Sequence, residues 1–91
     1  MREESVTLCL EHGLHARPAA ELVGLAGSFR SAIHIIKDGQ KADAKSILDL
    51  MTLAADKGST IVVRVEGDDE HAARDALIAF LERRSDRQEE G

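Results

Sequence analysis

The sequence predicts an α+β fold: an open-faced two-layer β-sandwich, with a four-stranded antiparallel sheet and three helices on one face. Three observations predict it. Stretches of strand and helix periodicity follow one another in the order β-α-β-β-α-β-α. Asp38–Gly39, between two strand-like runs, is a strong hairpin signal. Alternating strands with every helix on one side make two layers, and the far sheet face is left to water, as antiparallel sheets tolerate.

Each element has its own signature. In VTLCL, Val6, Leu8 and Leu10 fall on one side and Thr7 and Cys9 on the other, which predicts a strand over Val6–Leu10. HGLHARP is a loop leading to a helix from Ala16 to about Ala26, where Ala19, Leu22, Val23 and Ala26 recur at helical spacing. Pro18 suits the first turn, where a missing N–H costs nothing. Gly24 weakens this helix and Gly27–Ser28 ends it.

SAIHIIK (Ser31–Lys37) is the next strand, returning through Asp38–Gly39 into QKADA. SILDLMTLA is a short helix with apolar residues on more than one side, closed by DKG. TIVVRVE (Thr60–Glu66) is the clearest strand. GDDE opens a last helix whose stripe is Ala73, Ala76, Leu77, Phe80 and Leu81. Thr7, Cys9, His34, Arg64 and Glu66 are expected on the open sheet face. RRSDRQEEG reads as a solvated tail, so residues 1–91 form one domain with its core at about residues 5–82 and a polar tail at 83–91.

The 91 residues can enclose one modest core and no second one. With 43% hydrophobic and 32% charged residues, the chain is too apolar to be disordered. No run approaches the roughly 20 apolar residues that span a bilayer, and MREESV lacks the apolar stretch of a signal peptide. The expectation is a cytoplasmic protein with no membrane partner. The single Cys9 excludes an internal disulfide. A net charge of −5 and the lack of Trp and Tyr argue against nucleic acid, which calls for a basic patch and stacking platforms.

His15 raises the functional question. Directly ahead of a helix, it reads as a core histidine, a metal ligand, a helix cap or a reactive centre. Histidine is not a favoured N-cap; Ser, Thr, Asp and Asn are. An anion held there makes better sense of it. A helix N-terminus offers unpaired N–H groups and a partial positive charge, here from Ala16 and Arg17, since Pro18 has no N–H. The Arg17 guanidinium can pair two phosphate oxygens. Imidazole is substantially neutral at about pH 7, so it can attack phosphorus without a separate strong base. The constellation suits a group that receives a phosphoryl and hands it on.

His12 and His15 also form H-x-x-H with Cys9 upstream, but a loop pair with no second pair nearby lacks zinc spacing. No metal and no cofactor are expected. Cys9 sits mid-strand with nothing to activate it as a nucleophile.

KSILDLM holds a second candidate. Ser46 is a good N-cap, and Asp49 three residues on approximates a capping box. A hydroxyl at a helix start is also accessible and well placed to carry a phosphate against the dipole, although these residues alone call only for a cap. Ile47, Leu48 and Met51 are either extra core or an exposed docking patch, for which a flexible Met is suited.

GLHARPA, the KSI segment, the hairpin between them and the order of elements together resemble the HPr family, the histidine-containing phosphocarriers of the phosphoenolpyruvate-dependent phosphotransferase system. The resemblance runs from Val6 to Leu81. It implies that phospho-enzyme I phosphorylates His15 on Nδ1 and that the phosphoryl passes to the A component of a sugar-specific enzyme II. Arg17 would pair with the phosphate, and Pro18 would fix the helix start. Ser46 matches the position phosphorylated by the ATP-dependent HPr kinase/phosphorylase, where a phosphate opposes transfer to His15 by repelling acidic partner surfaces. Ala20, Ile47, Leu48 and Met51 fall where the family docks its partners.

Three departures stand out. His12 replaces a small polar residue near the active histidine. Gly24, Gly27 and Asp49 stand where several enteric relatives carry lysines, which weakens steering onto an acidic face of enzyme I. Asp49 also puts a second negative group near Ser46. The resemblance implies a monomeric phosphocarrier for sugar uptake that is no enzyme itself. Two other outputs use the same residues: a regulatory paralogue of the nitrogen-related branch, or an interaction module in which phospho-Ser46 drives binding to a transcription regulator.

Overall fold

The computed structural model describes residues 1–83, so the expected polar tail lies outside the described residues apart from Arg83. In chain order the elements are β1 (Arg2–Thr7), α1 (Ala16–Gly27), β2 (Ala32–Lys37), β3 (Gln40–Asp43), α2 (Ile47–Leu53), β4 (Thr60–Glu66) and α3 (Glu70–Leu81). This is the predicted order. The sheet runs β1-β4-β2-β3, with every neighbouring pair antiparallel.

The first strand departs from the prediction. It occupies Arg2–Thr7 rather than Val6–Leu10. Leu8 and Leu10 are fully buried, as their alternation requires, but the chain has already left the strand. There the Leu8 N–H donates to the Ser59 carbonyl (2.8 Å) and the Cys9 N–H to the Leu81 carbonyl (3.1 Å). Cys9 is thus a half-buried loop residue, not a strand residue of the open face.

The charged REES segment takes the ladder instead, from Arg2 opposite Val65 to Thr7 opposite Thr60. Arg2 and Glu4 share the face of buried Val6, yet α3 meets their charges. Arg2 lies 3.5 Å from the Glu70 carboxylate and hydrogen-bonds the His71 ring, and Arg74 lies 4.0 Å from Glu4. Inward-facing charge of this kind also protects an edge strand from adding further strands.

Between β2 and β3, Lys37 pairs directly with Gln40. Asp38 (φ 51°) and Gly39 (φ 81°) both take the left-handed conformation that a tight two-residue hairpin needs. Ile33, Ile35, Ile61, Val63 and Val65 point into the core, where they meet Leu22 and Ala26 of α1, Leu50 of α2 and Leu77 of α3. The opposite face carries a polar row across the strands, Glu3–Arg64–His34–Asp43, with Arg64 2.5 Å from Glu3. His34 and Arg64 therefore lie on the open face as predicted. No helix among the described residues is long and apolar enough to cross a membrane.

Asp69 joins α3 to the loop before β2. Its half-buried carboxylate accepts bonds from the Ser31 hydroxyl (2.5 Å), the Arg30 N–H (2.9 Å) and the Ser31 N–H (3.0 Å). These bonds, the hydroxyl's above all, hold the carboxyl below its ordinary value of 3.8. A depressed carboxylate contributes stability above its unfolded value and loses it as pH falls through the folded one. We therefore expect the melting temperature to decline as pH drops below 3.8. Asp69→Asn should melt lower at neutral pH and show a shallower acid slope. Some slope should remain, because the Gly67 N–H and the N-terminal ammonium likewise lower Glu70.

Candidate functional site

The loop after β1 delivers His15 to the start of α1. The Gly13 N–H donates to the Leu10 carbonyl (3.0 Å), and the Leu14 N–H to the Ala55 carbonyl (2.9 Å). Gly13 has φ +72°, and a Cβ there would lie 2.5 Å from the Ala55 carbonyl oxygen. Only glycine fits. With Leu14 buried, the turn before His15 is fixed from both sides.

His15 has an extended backbone (φ −88°, ψ −169°) and is the N-cap of α1. Its carbonyl accepts the Ala19 N–H at 2.9 Å, but its side chain makes no capping bond. The ring is half-buried, so it is neither a core group nor a capping group. It stands 5.8 Å from the His12 ring, centroid to centroid, with the planes at 70°. Arg17 is exposed on the first turn, and Pro18 is buried beneath it. The Ala16 and Arg17 N–H groups belong to the unpaired donors of a helix start. Among the described residues, no three His, Cys, Asp or Glu side chains are grouped as a metal site would need.

Ser46 caps α2, its Oγ accepting the Asp49 N–H at 3.2 Å. The predicted capping box is only half formed. The Asp49 carboxylate turns away and accepts the Asp43 N–H (3.1 Å), while the Ser46 N–H goes to the Asp43 carbonyl (2.9 Å). Lys45 Nζ donates to the Phe29 carbonyl (3.0 Å), tying this corner to the segment after α1. Ser46→Ala leaves the Asp49 N–H without its acceptor and should cost about 1 kcal/mol in denaturant melts.

Ile47, Leu48 and Met51 are 42%, 73% and 44% exposed, while Leu50 and Leu53 of the same helix are buried. The patch is a surface, not extra core. α1 packs against α2, and Ala20 is exposed on α1. Sequence reasoning gave no role to Gly13. A glycine before Leu14-His15 signals a turn, but the backbone it touches lies about forty residues on, at Ala55 and Asp56.

A two-layer domain that sets one histidine at the start of its first helix and caps its second with a serine has the architecture of the phosphocarrier class. The family model PTS-HPr, described as the PTS HPr component phosphorylation site, matches residues 2–83. The HPr-like protein Crh of Halalkalibacterium halodurans is 53% identical over 91% of this chain and 99% of its own length. The phosphocarrier protein HPr of Cupriavidus necator is 43% identical, covering 92% and 94%. Among solved structures, the phosphocarrier protein HPr of Bacillus anthracis superposes with a TM-score of 0.86 at 42% identity, covering 88% of this chain and 95% of that one. Crh of Bacillus subtilis, described as a domain-swapped dimer, gives 0.73 at 41% identity, covering 89% and 93%. The chain belongs to the HPr family of the phosphotransferase system.

Proposed function

We propose that the chain is a phosphocarrier that takes a phosphoryl from phospho-enzyme I onto His15 and passes it to the A component of an enzyme II for sugar uptake. The observation that carries this reading is the half-buried imidazole at the start of α1, held there by backbone bonds on either side. In the transfer, the Nδ1 lone pair of His15 attacks phosphorus as the bond to the enzyme I donor breaks. The phosphoryl oxygens then face the Ala16 and Arg17 N–H groups and the Arg17 guanidinium. The reverse motion releases the group to the next acceptor, so the chain is a substrate of two transferases and turns nothing over itself.

In this reading the chain works in the cytoplasm as a monomer, with Ala20 and the Ile47–Leu48–Met51 patch docking its partners. Ser46 is its regulatory site, phosphorylated by an HPr kinase/phosphorylase and read by a transcription regulator. A phosphate there would join the Asp49 carboxylate and repel an acidic partner.

The test is intact mass after incubation with phosphoenolpyruvate and a bacterial enzyme I. One phosphate, lost on brief acid treatment, is expected; an unchanged mass would sink the carrier reading. A chain that charges but delivers to no A component would belong to the regulatory branch. Arg17→Glu should slow charging by about tenfold or more, through lost phosphate pairing. Because Arg17 is exposed, its melting temperature should stay within about 2 °C of wild type, and a large drop would make Arg17 structural.

A further inference from the structure

The structure sets the His12 ring against that of His15, at 5.8 Å and nearly edge-on. We propose that His12 is a positioning residue for the phosphoryl on His15, donating a ring N–H to it and coupling the transfer equilibrium to pH. The inference rests on the carrier reading.

The chemistry follows from what transfer changes. Before transfer His15 is an imidazole; afterwards it carries an anionic phosphoryl beside the His12 ring. A neutral imidazole can donate one hydrogen bond to a phosphoryl oxygen, whereas an imidazolium donates while also opposing the charge. Phosphorylation therefore favours proton uptake by His12 from solvent, and by linkage protonated His12 favours the phosphorylated chain. The phosphorus–nitrogen bond that forms on His15 replaces the phosphoryl bond that breaks on the donor, and the proton on His12 takes no part in that exchange.

Charged groups also lie on the segments around the pair. They are Glu11 in the loop, Arg17 on α1, and Asp56 and Lys57 in the turn packed against Gly13. Cys9 lies farther back in the loop. His34 lies on the open sheet face and His71 beside Arg2 on α3.

The experiment measures the equilibrium of charging with phosphoenolpyruvate, pyruvate and catalytic enzyme I between about pH 6 and 8, the range in which imidazoles titrate. Wild type, His12→Ala and His12→Asn are compared, so the pH dependence of the donor couple cancels. The ratio of wild type to His12→Ala should rise as pH falls, by about threefold to tenfold. His12→Asn should exceed His12→Ala by a constant factor, since an amide donates without titrating. Equal profiles for all three would overturn the proposal and leave the carrier reading standing. A wild type that takes no phosphate would overturn both.

Discussion

Changing His15 to alanine should abolish phosphate incorporation from phosphoenolpyruvate and enzyme I, a loss of about a thousandfold or more in initial rate. The size of the effect follows from the site. The attacking lone pair belongs to this ring, and no other nucleophile among the described residues stands at the start of α1. His12 is near, but it is set back in the loop, ahead of the turn that Gly13 and Leu14 fix. The N-cap role of His15 is carried by its backbone carbonyl, which alanine keeps, so α1 should still start at this position in a folded chain. Mass spectrometry and a thermal melt on the same sample separate the two. Phosphate surviving in the variant would move the carrier site elsewhere. Binding that depends on phospho-Ser46 should persist, because Ser46 is held by its cap on α2.

The residues that made the site legible are those whose meaning is local. A histidine ahead of Ala-Arg-Pro, a serine ahead of an apolar helix and Asp38–Gly39 between two strands each dictate conformation within a few positions. The structure bears out those conformations. β1 lies earlier than alternation predicts because its register is set by partners far along the chain. Arg2 and Glu4 occupy core-side positions only because Glu70 and Arg74 meet them, and alternation cannot show such pairs. The capping box is only half formed for a related reason, since the Asp43 N–H offers the Asp49 carboxylate a partner outside the motif. The approach of His12 to His15 depends on how the loop turns at Gly13, which spacing does not reveal.

That turn supplies the largest expected loss of stability at the site. In Gly13→Ala the new methyl would lie 2.5 Å from the Ala55 oxygen and 2.9 Å from the Asp56 Cα, both backbone atoms with no rotamer to yield. The residue must also keep φ +72°, which costs an L-residue about 1 kcal/mol. Overpacking adds about 1–3 kcal/mol. A total of about 3 kcal/mol corresponds to a fall of roughly 10–20 °C in melting temperature for a domain of this size. Gly27→Ala is the matching control, at the helical end of α1 with nothing within 4 Å of its Cβ. It should leave the melt unchanged or raise it slightly, by up to about 1 kcal/mol. If the loop can relieve the clash only by moving off the Ala55 turn, Gly13→Ala will also lose the Leu14 N–H bond to Ala55. Charging of His15 should then be slowed even well below the new melting point, whereas Gly27→Ala charges at the wild-type rate. A Gly13→Ala chain that melts and charges like wild type would show that the turn yields freely and does not position His15.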